Sequence, residues 1–180
     1  MSGVRFLEPL IEQQIDGTAL TNTTTATSLL AAAAKFTIPA NFLQVGRELV
    51  VRAAGRISTA GSSPGTFTFD VRFGSVIVFN GGASGTLAVS ASNLTWIFES
   101  VLTCRSIGAS TSATMLGSGI LTTAALSATT PIQLLPASSP AAGTGFDSTA
   151  AFVVDVFGTW SVANASNSIR LDQFSLWAPN

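Results

Sequence analysis

Thr66-Phe67-Thr68-Phe69-Asp70-Val71-Arg72-Phe73 alternates polar and apolar residues without a break. A β-strand points successive side chains to opposite faces. This octet therefore reads as a half-buried strand, with Phe67, Phe69, Val71 and Phe73 turned to a core. Thr68, Asp70 and Arg72 lie on the other face. The same period of two recurs on both sides of the octet. Upstream, Leu49, Val51, Ala53, Gly55 and Ile57 alternate with Glu48, Arg52 and Arg56. Downstream, Leu94, Trp96, Phe98, Leu102 and Cys104 alternate with Thr95, Glu99, Thr103 and Arg105. Near the end, Phe152, Val154, Val156 and Trp160 share a face.

Turn chemistry separates these runs. Gly61-Ser62-Ser63-Pro64-Gly65 reads as a loop, and Gly74 interrupts the pattern before Ser75–Phe79. Asn80-Gly81-Gly82 predicts a hairpin turn, because Asn and Gly tolerate positive φ. Pro131 to Pro140 reads as a proline-rich connection, and Asn164 to Asn167 turns the chain. The closing strand, Ile169 to Trp177, is expected to place Ile169, Leu171 and Trp177 on one side. Phe174 and Leu176 fall on the other. The one stretch with helical character is Leu29 to Phe36, since Ala is the best helix former. About eight short strands with turns between them predict an all-β protein. A jelly-roll-like β-sandwich is the first choice and an immunoglobulin-like sandwich the second.

The first residues read differently. Residues 1–34 are expected to form an extended N-terminal arm, and residues 35–180 the β-sandwich domain. Thr18 to Ser28 is a threonine-rich tract that cannot bury enough surface to fold by itself. Within the arm, Phe6, Leu7, Leu10 and Ile11 are apolar in polar surroundings. They are the expected docking residues for a neighbouring surface.

The 180 residues hold only 9% charged side chains, against about 25% in ordinary globular domains, and the net charge is −1. Nucleic-acid binders carry a basic face. Here 8 Lys and Arg are scattered along the chain, so no nucleic-acid partner is expected. The longest apolar runs, such as Leu29–Ala34, fall far short of the roughly 20 residues of a spanning helix. No membrane partner is expected. Glu8, Pro9 and Glu12 interrupt any secretory leader, which predicts synthesis in a cytoplasm.

The chain contains no His and no Tyr. The usual general base at neutral pH is therefore missing. No catalytic residue, cofactor or metal site is predicted. Cys104 reads as a buried structural thiol. Asp155 with Asp172 is the acid pair that would matter for a glycoside hydrolase, which needs two carboxylates flanking one bond. The commoner role of strand acids is pairing with nearby cations, as Asp70 with Arg72 and Arg170 with Asp172. With so few charges, the outward positions are filled by Ser, Thr, Ala and Gly. Such a surface suits burial against further copies of the chain, because no ions need to be desolvated.

Two runs carry a family resemblance. Phe36 to Ile57 (FTIPANFLQVGRELVVRAAGRI) resembles the opening of a β-sandwich found in virion proteins of tailed bacteriophages. Gly143 to Ile169 (GTGFDSTAAFVVDVFGTWSVANASNSI) resembles the closing strands of that group. The resemblance implies a trimeric jelly roll on the outer capsid surface, partnered by itself and by the major capsid protein. It implies an N-terminal segment that attaches and a globular part that projects. It implies a capsid decoration, or cement, role and no enzyme activity. The rival expectations are a tail or baseplate module that binds host glycan, with Trp96, Trp160 and Trp177 as its aromatic candidates, and a β-sandwich glycoside hydrolase.

Overall fold

The computed structural model describes residues 7–13, 15–127 and 130–179, with side chains from residue 9 onward. Twelve strands are present: β1 (Leu7–Glu12), β2 (Leu20–Thr21), β3 (Thr27–Ser28), β4 (Phe36–Ile38), β5 (Glu48–Ser58), β6 (Phe67–Phe73), β7 (Val76–Ala83), β8 (Leu94–Ser106), β9 (Thr114–Thr123), β10 (Ile132–Leu135), β11 (Phe152–Trp160) and β12 (Ser168–Pro179). A single 3₁₀ turn at Ala32–Ala34 is what remains of the alanine-rich helical expectation.

The strands form two antiparallel sheets. The first runs β1-β12-β5-β8-β9-β10, with β2 also on β12. The second runs β3-β11-β6-β7, with β4 sharing β11. β3 and β4 act as one interrupted strand along β11. The eight principal strands are then β1, β3/β4, β5, β6, β7, β8, β11 and β12. In chain order they alternate as first-eighth-third-sixth in one sheet and second-seventh-fourth-fifth in the other. That is the doubly wound Greek-key order of a jelly roll, extended past β8 by β9 and β10. The chain is an all-β sandwich.

This connectivity needs the N-terminal residues. β1 pairs along β12 from Leu7 opposite Pro179 to Glu12 opposite Ser175, and β2 continues beside Ser168 and Ile169. β3 and β4 then cross to the second sheet. The described strands of the segment expected as an arm lie along the edges of both sheets of the same chain.

The inward faces of the two sheets meet in one aromatic core. Phe69 stacks on Phe98 with ring centroids 5.0 Å apart, and Trp96 packs beside it at 5.0 Å. Phe67 meets Trp160 edge to face at 4.8 Å. Each such buried ring stabilises by about 1.5–3 kcal/mol from area alone. The Trp160 indole donates to the carbonyl of Leu20 at 3.1 Å, tying the early chain to this core. β9 passes under Phe79 so closely that a Cβ at Gly117 would collide with its ring. This is why glycine interrupts that strand.

Two local readings are corrected. Asn80-Gly81-Gly82 lies inside β7, not in a hairpin turn. The registers Thr68–Ala83 and Asp70–Asn80 skip residues there, which makes a bulge. Gly82 takes φ +70° and its N–H bonds the Asn80 side chain at 2.8 Å. The same positive-φ chemistry is thus used within the strand. The β6–β7 turn is instead Gly74-Ser75, with Gly74 at φ +60°. The second correction concerns β12. Leu171 pairs with Gly55 and Gln173 with Ala54, so Asp172 is an extra residue. This bulge reverses the alternation. Ile169 and Leu171 before it, and Phe174, Leu176 and Ala178 after it, all point into the core. Trp177 is left on the outer face.

Candidate functional site

The expected chemistry can be placed residue by residue. Asp155 and Asp172 sit on the outer faces of opposite sheets, with the core between them, so they do not flank a common site. Each has its own cation. Asp155 pairs with Lys35 at 2.7 Å and accepts from the Ser28 hydroxyl at 2.8 Å. Asp172 bridges Arg56 at 2.9 Å and Arg170 at 2.6 Å. Arg170 also holds Asp16, and its hydrogen bonds to Asp16 and Asp172 raise its pKa further. Asp70 and Arg72 form their expected pair at 2.9 Å.

Cys104 is buried, and loss of hydration pushes its thiol pKa up, against a smaller opposing hydrogen bond to Ser106. A thiol held protonated is a poor nucleophile. Asp147 is half-buried in a loop. The Thr149 hydroxyl, at 2.6 Å, leads a set of donors that hold its carboxyl below the usual range. Among the described residues, no cluster of three or more His, Cys, Asp or Glu is placed to hold a metal ion. Among them, too, no helix is long and apolar enough to cross a membrane.

Of the arm residues, Phe6 lies outside the described residues, and Leu7 opens β1 opposite Pro179. Leu10 and Ile11 are partly buried against the chain's own core. Strand pairing with β12 places them there.

The least ordinary surface is the outer face of the first sheet. Register sets its side chains in three adjacent rows. Pro9, Trp177, Val50, Val101 and Ser118 stand side by side across β1, β12, β5, β8 and β9. The next row is Glu12, Ser175, Arg52, Glu99, Ile120 and Leu134. The third is Gln173, Ala54, Ile97, Thr122 and Ile132. Val101 is 38% exposed, Ile132 51% and Leu134 69%. Between Val50, Val101, Ile120, Leu134 and Pro136 lies an open groove of about 430 Å³. The central charges, Arg52 and Glu99, pair with each other at 2.9 Å and are both about half exposed. At the β1–β12 side, Trp177, Gln173, Glu12 and Arg52 line a shallower hollow of about 320 Å³. Trp96 and Trp160 are buried.

This face carries its open aliphatic side chains toward the β8–β10 side and most of its polar ones toward β1 and β12, with the Arg52–Glu99 pair between them. Sequence reading did not find it. Its residues occupy positions that the alternation assigns to solvent, and Ile132 and Leu134 fell in a stretch read as a proline-rich connection. The one available signal was Ile132-Gln133-Leu134, an alternating apolar triplet.

No protein-family model and no curated protein matches this chain.

Proposed function

We propose that this chain is a structural protein of a tailed-bacteriophage virion, a capsid decoration protein that assembles as a trimer and clamps neighbouring major capsid subunits. The observation that carries the reading is the exposed aliphatic patch on the β8–β10 side of the first sheet's outer face. A lone soluble domain rarely leaves such a surface open. A module that ends its life packed against other subunits has reason to keep it. The two runs that resemble phage virion sandwiches supply the particle. Multivalent attachment by a trimer raises avidity with weak individual contacts.

Attachment to the shell falls to the first residues, with Phe6 as the apolar anchor, because Leu10 and Ile11 are engaged with the core. Phe6→Asp is expected to give folded oligomers that no longer bind capsids, while Ile11→Asp lowers the melting temperature. Immunogold labelling of intact particles tests the location. Label over the head supports decoration, and label confined to the tail overturns it. Pelleting of Phe6→Asp with capsids at wild-type levels would remove the arm from the reading.

A second reading, a tail module binding host glycan, draws on one observation. The hollow at Trp177 brings an accessible indole beside Gln173, Glu12 and Arg52, an aromatic platform with polar neighbours. Glycan-array binding abolished by Trp177→Ala would favour it.

A further inference from the structure

We infer that the outer face of the first sheet is the self-association surface, covered by a second copy of the same chain, with Val101, Ile120 and Leu134 as its apolar contacts and Arg52 and Glu99 exchanging partners across it. This deepens the reading of the chain as a self-assembling module and rests on it; a face that covers itself is isologous, so the contact is two-fold and distinct from the threefold contact of the proposed trimer.

Three features select a second copy as the occupant. The first is size. The face is six strands wide at about 4.8 Å spacing, and its longer strands run 10 to 13 residues at about 3.3 Å each. The resulting area is on the order of 800 Å², which matches the about 800 Å² per partner of a stable interface. The second is charge. A cation and an anion stand next to each other in the middle of one row, both half exposed. The face is therefore its own electrostatic complement. Arg52 of one copy can meet Glu99 of another without any new charge being supplied, whereas a strongly charged partner would find no net countercharge. The third is the chemistry of the groove. Val50, Val101, Ile120, Leu134 and Pro136 make most of its wall apolar, and Glu99, already paired with Arg52, is its one charged group among the described residues. Aliphatic side chains from another copy would fill it and exclude water from the ion pairs, which strengthens them.

The second sheet does not offer this. Its outer charges are tucked away: Asp70 and Asp155 are each 4% exposed, and the Arg72 guanidinium lies 4.0 Å from the centre of the Phe157 ring.

Sedimentation velocity on the purified full chain decides the matter. The wild type is expected to sediment as an oligomer at micromolar concentration. Leu134→Asp and Val101→Asp are each expected to weaken association by about thirtyfold or more, the scale of losing an interface hot spot. Both remain folded, as judged by circular dichroism, because their side chains already meet water. Val89→Asp changes an equally apolar residue, 56% exposed in the loop between β7 and β8, and is expected to leave association unchanged. Arg52→Glu and Glu99→Arg are each expected to associate poorly alone and better when mixed. A monomeric wild type, or an oligomer indifferent to both Leu134→Asp and Val101→Asp, overturns the inference. A mixture that associates no better than its parts overturns the charge exchange, and with it the choice of a second copy. Head labelling on particles is read separately. A monomer that still decorates heads rejects this interface and leaves the decoration reading standing.

Discussion

The two outer faces of the sandwich are built from strands of the same alternation, yet they place charge and apolar surface in opposite ways. On the second sheet, Asp70 pairs with Arg72 and Asp155 with Lys35, the Arg72 guanidinium packs on the Phe157 ring, and the two acids are almost inaccessible. On the first sheet, aliphatic side chains stand open and the central ion pair is half exposed. A buried ion pair is costly to break from one side, because the partner is left without compensation. An exposed pair contributes little to folding and remains available to another molecule. The second face holds its charges within the chain, while the first leaves aliphatic and charged side chains open to solvent.

A shift of phase beyond the bulge breaks the comparison most severely. Inserting one Ala between Gln173 and Phe174 would put Trp177 in phase with Leu171 and force Phe174, Leu176 and Ala178 outward. Losing the burial of Phe174 and Leu176 alone costs about 3–6 kcal/mol. The expected outcome is a chain that fails to fold cooperatively in a urea titration. A variant that folds with wild-type stability would mean that the residue count of β12 does not set the two faces.

A smaller effect is expected from Asp155→Ala. The substitution leaves Lys35 and Ser28 without their partner on β11. A loss of about 2–3 kcal/mol is expected, toward the lower end for a buried pair since Lys35 is partly exposed. Chemical denaturation measures it, and a change under about 0.5 kcal/mol would show that the second face is no better sealed than the first.

Arg52→Ala sharpens the contrast from the other side. It removes an ion pair of similar length on the open face, and monomer stability is expected to change by only about 0.2–1 kcal/mol. Its larger consequence should appear in sedimentation. If Arg52→Ala destabilises the monomer as much as Asp155→Ala does, the two faces are energetically alike and the contrast fails.

Much of the fold was legible. β5, β6 and β8 alternate strictly because each has one buried face, and period two is a property of neighbouring residues. The i,i+2 pairs Asp70–Arg72 and Arg170–Asp172 were legible for the same reason. The candidate site was not. An outward Val101 or Ile120 looks like any residue in the solvent register until its neighbours across the sheet are known. Asn80-Gly81-Gly82 permits positive φ in a turn or in a bulge, and only the pairing of β7 with β6 decides between them.

By itself, the sequence determined that the chain is all β, where most strands lie, and that few charges are available for any site. These follow from local alternation, turn residues and composition. Only the tertiary structure decided that residues 7–38 supply edge strands to both sheets, that Lys35 meets Asp155, and that Trp177 faces out while Leu176 faces in. Strand order and bulges are set by hydrogen bonds between segments far apart in the chain. A single extra residue in one strand reverses the outward side of every residue after it.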